Sequence, residues 1–333
     1  MKKVLLVGGA GFLGMTILKH LCERFDYSVT IIDNFFRGKH DIELNHLVNQ
    51  YRIKIIESDC TDYNTFKKLD QDYDDVYMLA SIVGVKYALE APDEIIRVNT
   101  SIILNTLEWV KNTHCKKVLF SSSSECYAGA TERFNYPVPT DESVPVCIED
   151  IKNPRFTYAA TKILGESAFL NYSNMHGFNS TIIRYHNIYG PRMGFRHVIP
   201  EVIYRIFNHE NPFRMFGGGQ YRAFCYAEDA AQLTVSIMES DASNSEIIHV
   251  GNSMEETKIK DLIFCLFNIA DYHPEVDEVN APRGADAVTR RCPDIGKMNS
   301  IVGGYDFTEL EVGLKKTFKW YWDYLTAQNG RFE

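Results

Sequence analysis

Residues 158–162 read Tyr-Ala-Ala-Thr-Lys, which puts Tyr158 and Lys162 at i and i+4 on one face of a helix. A phenol of pKa about 10 is a poor base at neutral pH. A nearby ammonium favours the phenolate and moves it toward general-base duty. An apolar run ending at Phe120 is followed by Ser121-Ser122-Ser123-Ser124-Glu125, which adds hydroxyls and a carboxylate at a strand end. A second constellation opens the chain, Gly8-Gly9-Ala10-Gly11-Phe12-Leu13-Gly14. Glycines at this spacing allow a tight turn and a close approach of backbone to a pyrophosphate, while the helix that follows offers unpaired N–H groups. Asp33 closes the second apolar run. A carboxylate there accepts from ribose hydroxyls and repels a 2′-phosphate, predicting NAD over NADP, with Arg37 as the contrary sign. Asp59 is either an adenine contact or the N-cap of the next helix.

These groups need rigid elements beneath them. Apolar runs at 4–7, 29–32, 53–56, 76–80, 118–120, 181–183 and 247–250 are rich in Val and Ile and have no polar face. That is the pattern of strands covered on both sides, as in a parallel sheet. Helix-period stretches lie between them at 13–24, 61–69, 95–112 and 158–175. Strand–helix alternation predicts an open, doubly wound α/β sheet. Beyond Asn187 the character changes: 188–222 reads as loop-rich, 227–239 as helix and 246–250 as strand. The remainder reads as irregular until an amphipathic helix at 309–325. The expected organisation is a large domain from 1–187 with 224–251, and a smaller C-terminal α/β domain from 188–223 with 252–333.

The 333 residues are 45 % hydrophobic and 24 % charged, which excludes disordered, collagen-like and coiled-coil classes. Net charge is −9 with no Lys/Arg cluster, so neither nucleic acid nor an anionic membrane is an expected partner. The eight cysteines form no CxxC pair and the histidines no HExxH, so no metal is expected and the thiols read as reduced. Lys2-Lys3 precedes an apolar run too short for a signal peptide, and no window has about 18 consecutive apolar residues. A cytoplasmic protein is expected.

The motifs GGAGFLG, Asp33-Asn34, the serine run, YxxxK, Arg184-Tyr185-His186-Asn187, Gly190-Pro191-Arg192 and Phe224-Cys225-Tyr226 follow one another in an order that resembles the extended short-chain dehydrogenase/reductase family, the nucleotide-sugar epimerases and dehydratases. The resemblance implies a Rossmann fold with NAD held by Gly8, Gly11, Phe12, Leu13, Gly14, Asp33, Asn34, Asp59, Cys60, Leu79, Ala80, Ser81, Asn99, Tyr158 and Lys162. It implies that Ser123 and Tyr158 meet the C4 oxygen of a nucleotide-diphosphate sugar, with Asn187 and Arg222 on its phosphates. Tyr158 would take the C4 hydroxyl proton as hydride leaves C4, giving a 4-ketone.

Glu125 then resembles the carboxylate of sugar dehydratases and glucuronate decarboxylases, either as a base at C5 or as a group that orients a loop. Residues 33–38 and 290–295 also resemble the decarboxylases, whereas 159–161 lack their usual Asp-Glu-Gly. Arg291 could meet a diphosphate, a sugar carboxylate or only solvent. Dehydration or decarboxylation is the expected outcome. A 4-epimerase, a net C4 dehydrogenase and a non-catalytic NAD(H) sensor are the alternatives. Cys126 reads as a packed thiol, and the aromatic cluster 318–324 as core. The apolar faces of 95–112 and 158–175 exceed what one sheet needs, and the family resemblance implies that these helices form a homodimer through a four-helix interface.

Overall fold

The computed structural model describes residues 1–24, 26–279 and 289–331. Seven parallel strands form one sheet in the order Glu246–Val250, Asn179–Tyr185, Lys117–Ser123, Asp75–Met78, Lys2–Val7, Tyr27–Asp33, Lys54–Glu57. The order reverses between Lys2–Val7 and Asp75–Met78, the switch point where an open α/β sheet leaves a crevice at its carboxyl edge. Val4, Leu5, Leu6 and Val7 are all fully buried, as expected of a strand covered on both faces. Helices Phe12–Glu23 and Ala227–Glu239 pack together, as do Pro92–Val110 and Thr157–His176.

The later segments build a second, smaller core. Helices Val198–Phe207, Ile259–Ala270 and Leu310–Ala327 bury Ile199, Ile203, Leu262, Leu266, Leu314 and Tyr321 together. Strand Tyr221–Ala223 lies between antiparallel Glu256–Lys258 and parallel Arg290–Arg291, and its register sets Arg222 beside Arg291. The aromatic residues of the last helix are core: Tyr321 is fully buried and Phe318, Trp320 and Trp322 pack around it.

Several local expectations fail. The helix expected at 61–69 is a short 3-10 turn, Tyr63–Lys68, because Asp62 caps it and Leu69 leaves in an extended conformation. The stretch 188–222 contains helix Val198–Phe207, with Pro200 in its first turn, where proline removes no needed N–H. The stretch 252–333 is not irregular. In Ile259–Ala270 the buried residues Ile259, Leu262, Ile263, Leu266 and Phe267 follow the helical period, a signal present in the sequence and overlooked. Helices Ile42–Tyr51, Val85–Glu90 and Gly296–Val302 were also missed. All eight cysteines are free.

Candidate active site

The glycine loop joins the first strand to helix Phe12–Glu23, whose N-cap is Gly11. No side chain caps this helix and no acid stands in its first turn, so its leading N–H groups are open to an anion. Gly8 has φ +85°, and a Cβ there would lie 2.7 Å from the Ala80 backbone. A Cβ on Gly14 would lie 2.5 Å from Gly8 O. The loop is therefore a cradle only glycines can form, and it suits a dinucleotide pyrophosphate. Phe12 and Leu13 begin the helix and are partly buried. Asp33 is 8 % exposed and accepts from Ala10 N at 2.9 Å and Phe35 N at 2.8 Å, which ties the loop to the second strand. Burial raises its pKa, against those two hydrogen bonds. Asn34 is exposed and accepts from Phe36 N. Arg37 does not pair with Asp33 and reaches Val83 O at 3.4 Å.

On the other side of the switch point, Leu79 and Ala80 both donate to Val7 O at 2.9 Å. Ser81 Oγ donates to Ile82 O at 3.4 Å. Asn99, 2 % exposed, accepts from Ile82 N and donates to Ile82 O and Thr161 Oγ1. Its amide thus braces the loop that faces the cradle. Asp59 is not a helix N-cap, since Asp62 takes that place; its side chain accepts from Thr61 N at 2.8 Å, closing a local turn. Cys60 is buried, and its carbonyl accepts from Asn105.

Ser123 ends the strand Lys117–Ser123, and Tyr158 and Lys162 lie one turn apart on Thr157–His176. Burial pushes the Tyr158 phenol above its ordinary range, Cys126 and Glu125 add to this, and the neighbouring Ser123 and Arg37 oppose it. The expected depression by Lys162 is not present. Lys162 Nζ lies 5.4 Å from the centre of the Tyr158 ring and donates to Ser121 O at 2.7 Å. Burial lowers its own pKa to about 8.

This last shift has a signed consequence. Between pH 8 and its unfolded value of 10.5 the unfolded chain binds more protons at Lys162, so folding stability rises with pH there. Below pH 8 the buried charge is a constant burden. Lys162→Met is therefore expected to stabilise the fold at neutral pH by on the order of 1–3 kcal/mol while abolishing turnover. Urea unfolding of both proteins at pH 7 checks this, and a less stable variant refutes it.

Glu125 sits in the 3-10 turn Ser124–Tyr127, and its backbone N–H donates to Ser123 Oγ at 3.2 Å. Arg291 Nη1 donates to Glu125 Oε1 at 2.6 Å. Burial alone would raise the Glu125 pKa, but the charge and hydrogen bond of Arg291, with Arg155 and Arg222, outweigh it and hold the carboxyl below its usual range. Arg222 is the in-register neighbour of Arg291, and burial lowers it to about 10, with Arg291 adding to the effect. Two guanidiniums side by side repel each other, and Glu125 offsets one of them. Among the described residues Arg291 Nη2 is buried without a hydrogen-bond partner, an open donor for an anion. Asn187 takes the left-handed conformation at φ 42° and donates to Ala223 O, beside Arg222. Arg155 was missed by sequence reasoning. It lies three residues before Tyr158, and only its charge on Glu125 reveals it. His186 is fully buried, and Cys126 is fully buried as expected.

Residues 4–251 match the NAD dependent epimerase/dehydratase family. The chain is 32 % identical to a UDP-N-acetyl-alpha-D-glucosaminuronate decarboxylase of Bacillus cytotoxicus, over 96 % of this chain and 98 % of that protein. It is 28 % identical to a UDP-glucuronate 4-epimerase of Thermodesulfobacterium geofontis, over 95 % of each. Its fold matches the UDP-N-acetylglucosamine 4-epimerase of Methanobrevibacter ruminantium, solved with UDP-N-acetylmuramic acid, at a TM-score of 0.84 and 30 % identity, over 97 % of this chain and 99 % of that one. The chain belongs to the NAD dependent epimerase/dehydratase family. It is an NAD-dependent enzyme, and the cradle, Asp33 and the Ser123–Tyr158–Lys162 group fit that cofactor. No helix among the described residues is long and apolar enough to cross a membrane.

Proposed function

We propose that this enzyme oxidises C4 of a UDP-sugar carrying a carboxylate at C6 and then releases that carboxylate as CO₂. The observation that carries this reading is the Glu125–Arg291 pair, with Arg222 and Arg155 close enough to hold Glu125 ionised and Arg291 Nη2 left open. The glycine cradle and Asp33 would hold NAD, which would supply the hydride acceptor for C4. Tyr158 takes the C4 hydroxyl proton, and Ser123 donates to the same oxygen. The resulting C4 ketone is β to the C6 carboxylate, so the C5–C6 electron pair can collapse toward C4 with no strong base at C5. Tyr158 and Ser123 stabilise the charge that develops on the C4 oxygen; C5 then takes a proton from solvent, and return of the hydride and of the Tyr158 proton to C4 leaves a product that has lost CO₂ alone. Arg291 and Arg222 orient the sugar carboxylate and the diphosphate. Glu125 fixes Arg291, the orienting role rather than the C5-base role. Asn187 adds a diphosphate contact.

The residues 1–187 with 224–251 would hold NAD, and 188–223 with 252–333 the sugar nucleotide. A homodimer through Pro92–Val110 and Thr157–His176 would cover the exposed Ile96, Leu104 and Leu164. The compartment we infer is the cytoplasm. The 4-epimerase is the second reading, favoured by the relatives of that activity; there the ketone is re-reduced on its other face and mass is unchanged.

Mass spectrometry after incubation with UDP-glucuronic acid, UDP-N-acetylglucosaminuronic acid and their neutral hexose counterparts distinguishes these. Loss of CO₂ from a uronate alone is the expected result. Loss of water would make Glu125 a dehydratase base. An isomer of unchanged mass establishes the epimerase, and loss of two hydrogens a net dehydrogenase. No product from any of these sugars would point to a different nucleotide sugar as substrate.

A further inference from the structure

The turn that carries Glu125 ends at Tyr127, which is 1 % exposed and lies on a buried polar assembly beneath the cleft. Tyr127 Oη and His186 Nε2 are 3.0 Å apart in a hydrogen bond. The Tyr127 ring stacks on the His249 ring at 5.5 Å, and the Arg184 guanidinium stands 5.7 Å from its centre. Arg184 is held in turn by both oxygens of Glu166. His186 is fully buried and its N–H donates to Val250 O at 3.0 Å, so its ring hangs from the end of the sheet.

His186 also borders the segment that carries Arg291. A Cβ on Gly251 would stand 2.7 Å from His186 Cβ and 3.0 Å from Pro293 Cγ, so glycine lets these two groups close on the same spot. Pro293 follows Arg291 by two residues and bridges Thr140. His186 thus adjoins the turn that carries Glu125, through Tyr127, and the segment that carries Arg291, at Gly251 and Pro293. Burial keeps it neutral, with His249, Arg291 and Arg184 acting in the same direction.

We propose that Tyr127 and His186 are positioning residues for the step after C4 oxidation: their hydrogen bond fixes the turn bearing Glu125, and through Glu125 the guanidinium of Arg291. This rests on the role given to that pair above. The turn has other anchors, among them Cys147 N on Cys126 O at 2.9 Å, Glu125 N on Ser123 Oγ and Ser122 Oγ with Cys126 Sγ at 3.4 Å, so losing the Tyr127 bond loosens it without unfolding it. Tyr158 and Lys162 stand on a different element, the helix Thr157–His176, with Lys162 fixed by Ser121 O, and Ser123, although it caps the turn, is held by its strand pairing with Tyr185, so all three keep their geometry.

The test uses Tyr127→Phe, His186→Leu and the double variant, with Glu125→Gln as reference, on UDP-glucuronic acid and UDP-N-acetylglucosaminuronic acid. Reduction of the nicotinamide reads C4 oxidation, and CO₂ release reads the second step. Each single variant is expected to slow CO₂ release about tenfold with C4 oxidation unchanged, and the double variant to be no slower than either single. Equal slowing of both steps, or no slowing, overturns the proposal. If Glu125→Gln itself leaves CO₂ release unchanged, the reading of the Glu125–Arg291 pair has failed instead. Amide hydrogen exchange supplies a substrate-free measurement on the full chain. Residues 124–127 should exchange faster in Tyr127→Phe while the helix bearing Tyr158 does not, and unchanged exchange at 124–127 overturns the proposal.

Discussion

Tyr158→Phe is expected to lower turnover by about 10²–10⁴-fold, the usual contribution of a positioned acid–base group. The phenylalanine keeps the ring, so packing beside Ile82, Ala88 and Ile95 persists and only the hydroxyl is lost. That hydroxyl neighbours Ser123 and is the group proposed to take the C4 hydroxyl proton. The cradle, Asp33 and the Asn99 brace do not depend on it. NAD affinity should therefore remain within a few-fold of the parent. Steady-state turnover and a cofactor titration on the same preparation check both halves, and undiminished turnover would remove Tyr158 from the chemistry.

The largest stability effect is expected at Glu166. Arg184 and Glu166 have side chains only 2 % and 6 % exposed, and Ser122 donates to the same carboxylate at 2.5 Å. Glu166→Leu leaves a guanidinium buried with no counter-charge, a change that costs about 3–5 kcal/mol. Against a typical total of about 5–15 kcal/mol this is a large share. Removing both charges, as in Glu166→Leu with Arg184→Met, should recover most of the loss, because the penalty comes from the orphaned charge more than from the lost attraction. Urea denaturation of the two variants decides it. A double variant no more stable than the single would mean that the pair itself supplies the stability.

Part of this site was legible without a fold. The glycine spacing, its place after an apolar run and Asp33 at the end of the next run describe a phosphate cradle, because the physics involved is local: a turn, a helix start, a register of two neighbouring strands. Tyr158 and Lys162 were legible for the same reason, being one helical turn apart. The Ile259–Ala270 helix was equally legible by its period and was missed because the surrounding composition suggested loops. Arg155 gave no usable signal, since an arginine before a helix is ordinary until its neighbours are known.

The sequence by itself therefore determined the doubly wound sheet, the glycine turn and the placing of Tyr158 and Lys162 one helical turn apart, all built from contacts close along the chain or repeated with a fixed period, while Ser123 joined them only through the family resemblance. Only the tertiary structure decided the state of Glu125. Its partner Arg291 lies 166 residues away, and that pairing depends on the register that sets Arg222 beside Arg291 in a small sheet. Only the fold, too, turned His186 inward to Tyr127. Contacts of such separation carry no periodic trace in sequence. They are set by which surfaces are buried together when the two cores close on each other, and so are the charges and protonation states that follow from them.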